Sequence, residues 1–273
     1  MSIELNYTWI QWLFFFYFYC FFGWCFESAY VSVKTGRLVN RGFMRGPYLP
    51  LYGTGALMML VVAAPFRDNI ILTYAAGCLG ATALEYVTGV TMEALFRVRY
   101  WDYSDQPFNF HGYICLGSSL TWGGLTVLMT KVIHQPIEDF VLLIPEGLLT
   151  IATMVLSVII IVDFIMSFKA AMDLCGVLIR LEEAKKEMQR LEKRIDVIIA
   201  LSEQVKEELR EELQELKERF HFQKESRFSL AHGKNFQLKA ILRGNPTISS
   251  RKFKEALEEL KKAIEEQRNN KEE

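Results

Sequence analysis

The sequence predicts an all-α protein: a polytopic transmembrane helix bundle of about five spans, followed by a C-terminal cytoplasmic, coiled-coil-like helical tail. Three observations predict it. The net charge of −1 over 273 residues is a cancellation, because residues 1–168 hold 8 Lys/Arg and 11 Asp/Glu while residues 169–273 hold 23 and 21. Long charge-free apolar runs fill the first part. In the second part, apolar residues recur at helical spacing among dense charges of both signs. The charge balance argues against a dedicated nucleic-acid binder, and five cysteines are too few for a disulfide scaffold.

Residues 5–26 run without a charge and include 13 aromatic side chains, long enough to cross a bilayer as a helix placed at about 7–33. No basic residue precedes the run (the first is Lys34) and no small-residue cleavage site follows it, so it reads as a span rather than a cleaved signal. Further spans are expected at roughly 48–66, starting near Pro47 and Pro50, then at 70–96, 112–132 and 145–168. Gly77, Gly80 and Ala81 in the third, and Gly117, Gly123 and Gly124 in the fourth, let helices approach closely in lipid. Cys20, Cys25, Cys78, Cys115 and Cys175 read as small apolar residues.

Basic residues set the orientation. The loop after the first span carries Lys34, Arg37, Arg41 and Arg45, and the loop after the third carries Arg97 and Arg99; the other side has only Arg67 and Lys131. This predicts a multi-pass plasma-membrane protein with its N-terminus outside and its tail in the cytoplasm.

The chain then divides into a transmembrane bundle over 1–168, a long charged amphipathic helix over 169–220, a basic connector over 221–250, and a short amphipathic helix with a polar end over 251–273. Leu181, Ala184, Met188, Leu191, Ile195 and Ile198 form a heptad-like stripe that drifts past Leu201 through Val205, Leu209 and Leu213. Phe253, Leu257, Leu260 and Ile264 repeat the pattern. The two pieces either fold back on each other or pair between subunits in a homodimer. Residues 220–254, with eight Lys/Arg, one Glu and five Phe, suit either an anionic leaflet or a solvated connector.

Polar residues inside the spans are the candidate site. Glu27 lies about two turns before Lys34. Glu85 and Glu93 share the third helix, about 80° apart around the axis and about 12 Å along it. Asp163 is on the fifth. An ionised carboxylate in a bilayer costs about 2.5–3.5 kcal/mol and turns to a partner or a wet cavity. Asp163 and an i,i+4 pair between Glu93 and Arg97 read as structural locks; Glu27 and Glu85, deeper and without a local partner, read as a polar cavity.

The loop around Asn40, Arg41, Gly42, Arg45, Gly46, Pro47, Pro50 and Gly53 has two readings: a re-entrant anion cradle of arginines and glycine amides, or an ordinary tight loop. The loop with Trp101, Asp102, Tyr103 and Asn109 is interfacial. Both loops meet at the cytoplasmic mouth near Glu27 and Glu93. No catalytic set is identified: there is no G-x-x-x-x-G-K-[ST], G-x-S-x-G or H-E-x-x-H pattern. The four histidines show no ligand spacing and read as isolated, and neither metal nor cofactor is expected. Asn6-Tyr7-Thr8 matches a glycosylation sequon.

Gly23-Trp24 with Glu27, then Asn40-Arg41-Gly42, Gly46-Pro47, Pro50 and Tyr52-Gly53, resembles the opening motif of the CmpB-type ABC-transporter permease family of bacterial membrane proteins. The similarity continues through Leu84-Glu85, Gly89, Glu93, Trp101-Asp102-Tyr103-Ser104, Asn109, Gly112, Ser118-Ser119 and Trp122-Gly123, covering roughly residues 10–165. Met44 and Leu51 stand where other aliphatic residues are expected, and Arg45 where an uncharged one is, so the resemblance carries Arg41 rather than Arg45. It implies a permease driven by a separate ATPase subunit. Two alternatives stand beside it: a membrane enzyme acting on an anionic lipid or headgroup at the polar cavity, and an assembly or sensory protein working through its tail.

Overall fold

A computed structural model of the chain describes residues 6–198, 211, 212, 214, 215, 218 and 232–272. Among them the architecture is all-α. Helix α1 spans Trp9–Thr35 and starts at a capping box, in which Gln11 N donates to Thr8 Oγ1 at 3.3 Å and Thr8 N to Gln11 Oε1 at 2.8 Å. Gly36, at φ 68°, ends it in the left-handed region. Helix α2, Pro50–Ala63, opens on a proline whose missing N–H costs nothing there, and runs into a 3₁₀ turn, Ala64–Phe66. Helix α3, Ile70–Phe96, is capped by Asn69, whose Oδ1 accepts from Ile71 N and Leu72 N.

The fourth apolar segment departs from a simple span of 112–132. Helix α4, Leu116–Leu128, passes through a π-turn, Met129–Ile133, into α5, His134–Leu143. Helix α6, Glu146–Ile198, continues the fifth apolar segment into the charged stripe without a break. By length and composition Trp9–Thr35, Ile70–Phe96 and Glu146–Leu191 are each sufficient to cross a membrane, and Pro50–Phe66 is a shorter apolar helix.

The chain forms two compact units, Met1–Phe168 with Arg243–Ser249, and Lys169–Leu242 with Ser250–Glu273. The first buries Phe15, Tyr19, Met59, Leu60, Ala81, Met129, Val141 and Leu149 in one core. Its outward faces are apolar too: Ile71, Leu79 and Ile151 are 76, 75 and 65% exposed, as lipid-facing side chains are. Helices α3 and α4 touch backbone to side chain, since a Cβ on Gly77 would sit 2.2 Å from Thr126 Oγ1. That close approach is the packing small residues permit in lipid. All five cysteines are free thiols, with Cys20, Cys115 and Cys175 buried.

In the second unit, Leu181, Ala184, Met188 and Leu191 form a half-buried stripe on α6. Helix α7, His232–Gly244, lies within the stretch read as a basic connector. Helix α8, Lys254–Glu272, buries Ala256, Leu257, Leu260 and Ile264. Lys185 of α6 pairs with Glu255 and Glu259 of α8, so these pieces meet within one chain. The continuation of the stripe through Val205, Leu209 and Leu213 lies outside the described residues.

Candidate functional site

The first loop is built along one face of α1. Cys20, Trp24, Ser28 and Ser32 recur every four residues, one per turn, and each holds a loop residue. Cys20 O accepts from Leu49 N at 2.9 Å, Ser28 Oγ from Arg41 N at 3.2 Å and Ser32 Oγ from Val39 N at 2.9 Å. Trp24 Nε1 donates to Asn40 Oδ1 at 2.6 Å, and Asn40 Nδ2 donates in turn to Arg45 O at 2.7 Å. The other side of the loop is fixed to α6, where Asp163 Oδ2 accepts from Gly46 N at 2.9 Å and Ser167 Oγ from Arg45 N at 3.2 Å. Asp163 is thus bound to a loop amide. Arg45 enters this scaffold through its backbone, and Gly42, at φ 124°, makes the bend before it.

Arg41 is buried and its guanidinium is divided four ways. Nε lies 3.4 Å from Glu27 Oε1, Nη1 donates to Asn245 Oδ1 at 2.8 Å, and Nη2 donates to Tyr100 O at 3.1 Å and to Thr247 Oγ1 at 3.3 Å. Glu27, without a partner on its own helix, thus pairs with Arg41, one of the four arginines on its side. Its second oxygen accepts from Tyr52 Oη at 2.6 Å. Of the two arginines and the glycine amides of the expected anion cradle, the Arg41 guanidinium and the Gly46 amide are committed to protein acceptors.

Glu85 is 4% exposed. Tyr103 Oη donates to Oε1 at 3.1 Å and Trp122 Nε1 to Oε2 at 2.9 Å. Among the described residues no Lys or Arg pairs with it. Burial, and then the Glu85 carboxylate itself, hold the Tyr103 hydroxyl far above its ordinary range, so it remains a donor. The Tyr52 and Trp122 rings meet edge to face at 6.4 Å and join the Glu27 and Glu85 clusters.

The ion pair shown for Glu93 is with Arg99 rather than with the i,i+4 residue Arg97. Arg97 takes φ 60° and ends α3. Glu93 Oε2 instead meets Arg99 Nε at 2.5 Å and accepts from Tyr113 Oη at 2.6 Å. Arg99 also lies 3.4 Å from Asp102 Oδ1 and stacks on the Tyr113 ring. Burial pushes the Asp102 carboxyl up, but hydrogen bonds from Ser104 and Ser249 and the Arg99 charge outweigh it and hold it below the ordinary carboxylate range. Trp101 Nε1 donates to Tyr113 O at 2.9 Å. Asn109 is exposed and closes its own loop, donating to Ser104 O and Gln106 O. Gly53 serves the packing of α2 on α1, a Cβ there coming 2.4 Å from Cys20 Sγ, and Pro50 opens α2.

Sequence reasoning missed Tyr113, Asn245, Thr247 and Ser249, and gave no side-chain role to Tyr52 or Trp122; Arg99 it offered, with Arg41, Arg45 and Arg97, as a partner for the carboxylates, and Arg99 meets Glu93 and Asp102. It also read the histidines as isolated, which His134 is not. The fully buried His134 ring sits between two tyrosines, Nδ1 2.7 Å from Tyr19 Oη and Nε2 3.1 Å from Tyr7 Oη, while Tyr7 Oη donates to Glu138 Oε1 at 2.6 Å. The i,i+4 spacing of His134 and Glu138 was the available signal.

No curated protein and no solved structure matches the chain. A family model described as "Putative ABC-transporter type IV" matches residues 14–168, more than half of the chain, so the chain belongs to this CmpB family of ABC-transporter membrane proteins.

Proposed function

We propose that the chain is the membrane component of a transporter whose solute path includes the Glu27–Arg41–Tyr52 and Glu85–Tyr103–Trp122 clusters, and that the solute carries positive charge. The observation that carries this reading is a charge imbalance. Glu27, Glu93 and Asp102 share two guanidiniums, Arg41 and Arg99, and among the described residues no Lys or Arg pairs with Glu85. Glu85 is buried against aromatic rings and neutral donors. A carboxylate among aromatic faces is the chemistry that recognises an organic ammonium group. An anionic headgroup fits less well, because Arg41 already faces Glu27 and three neutral acceptors.

Basic loop residues favour the cytoplasmic side for this end of the bundle and for the tail, with the N-terminus outside. The sequence has no phosphate-binding loop, so ATP hydrolysis is assigned to a separate subunit. The test is thermal stabilisation of the purified full chain by a panel of organic cations and matched anions. A ligand at 100 times its Kd adds about 2.7 kcal/mol. Cations are expected to raise the melting temperature of the unaltered chain and not of Glu85→Gln. Stabilisation by anions alone, or by no member, contradicts the reading.

A further inference from the structure

The geometry points to residues 243–249 as a latch that keeps the polar site closed by clamping its two loops together. The segment joins α7 to α8 in sequence, yet it is part of the first compact unit. To the first loop it offers both ends of one amide: Asn245 Oδ1 accepts from Arg41 Nη1 at 2.8 Å, and Asn245 Nδ2 donates to Gly42 O at 2.9 Å. To the second loop it presents a backbone pair, Arg99 N to Ser249 O at 2.8 Å and Ser249 N to Arg99 O at 3.0 Å. Ser249 Oγ adds a bond to Asp102 Oδ2 at 3.0 Å, and Thr247 Oγ1 bonds to Tyr100 O at 3.3 Å.

The fit is close. Asn245 and Ile248 are each 1% exposed, Ile248 N donates to Asn245 O at 3.0 Å in a turn with Pro246 at its second position, and a Cβ on Gly244 would lie 2.4 Å from Asn40 O. Without the segment, Arg41 Nη2 to Tyr100 O and the Phe43 ring against Phe96 and Tyr100 remain as links between the loops. The hold is mostly polar, so it is exchangeable for water once the segment moves. Because α7 and α8 flank it, a force on either is transmitted to the loops through the backbone. This rests on the reading of the two clusters as a solute path, and makes the segment its regulator.

The test uses native Cys115, a buried thiol near enough to the Tyr103 hydroxyl to act on it electrostatically. The full-length chain in mild detergent is alkylated with a water-soluble maleimide, and the rate at Cys115 is read from its peptide. Asn245→Leu removes the charge-assisted bond and the Gly42 bond, and is expected to speed Cys115 labelling about tenfold or more, together with faster amide exchange over 40–46 and 97–103. Gly244→Ala, which pushes the segment off Asn40 O, is expected to act in the same direction if Asn245→Leu does not fold. An unchanged Cys115 rate in variants whose 243–249 amides exchange freely overturns the latch. That result leaves the solute path standing, since the cation-stabilisation experiment reads it separately.

Discussion

Arg41 and Asn245, 204 residues apart, are joined by a 2.8 Å bond from Nη1 to Oδ1, and both are buried. The planar guanidinium makes this possible, because its donors point at once to Glu27, Asn245 and Tyr100 O. A lysine keeps the charge and loses the fork. Arg41→Lys is therefore expected to cost about 1–3 kcal/mol of stability, read as a lowered melting temperature of the full chain. A neutral effect contradicts the assignment of Arg41 as the centre of the loop scaffold.

Glu85→Gln separates binding from packing. Glutamine has the same shape, but its single carbonyl oxygen serves one of the two donors, Tyr103 Oη or Trp122 Nε1. Melting should fall by the equivalent of about 1–3 kcal/mol, with the folded protein retained and stabilisation by organic cations lost. Retained cation response locates the ligand elsewhere.

Much of the scaffold was legible in sequence. The charge-free run of α1, Pro50 at the start of α2, Asn69 before α3 and the Phe253–Ile264 stripe each follow from a local rule, and the five cysteines are free thiols, although Cys115 Sγ caps α4 by accepting from Ser118 N. The ion pairs were less so. Glu93 and Arg97 have the spacing of a helical pair, but α3 ends in a left-handed residue at Arg97, and a helical rule fails where the helix stops. The Glu27–Arg41 and Arg41–Asn245 contacts cross 14 and 204 residues and depend on how the chain returns. Residues 243–249 read only as part of the basic connector, since Gly244 and Pro246 signal a break and not what the chain there rests against. The α1 stripe Cys20, Trp24, Ser28 and Ser32 was visible as a spacing, with no loop to assign to it.

His134 locks α1 to α5 by bonding at both ring nitrogens, one donating and the other accepting. His134→Phe strands Tyr19 Oη in the core, at about 1–3 kcal/mol. Adding Tyr19→Phe removes the stranded group, so the double variant should be more stable than His134→Phe alone. Equal or lower stability of the double variant contradicts the clamp.

Asp102 fixes a pH dependence whose sign is determined. Its folded-state pKa is depressed, so its contribution to stability is present above its unfolded value, about 3.9, and is lost as pH falls through the lower folded value. The melting-temperature gap between the unaltered chain and Asp102→Asn should persist at neutral pH and narrow below about pH 4. A gap that widens on acidification reverses the assignment.

Gly77 tests the bundle itself. With Thr126 Oγ1 2.2 Å from a Cβ there, Gly77→Val is expected to separate α3 from α4 and cost about 1–3 kcal/mol or more, seen as loss of folded protein on size-exclusion chromatography in detergent. Gly124, with open space around its Cβ position, should accept alanine without that loss.

The most direct measurement of the central claim is purification of the full chain from membranes in several mild detergents, with mass spectrometry of what accompanies it and an ATP-hydrolysis assay. The account predicts a stoichiometric subunit carrying a phosphate-binding loop, and hydrolysis that depends on it. Recovery of the chain without any such subunit in every detergent, including after cross-linking in intact membranes, contradicts a transporter energised in this way.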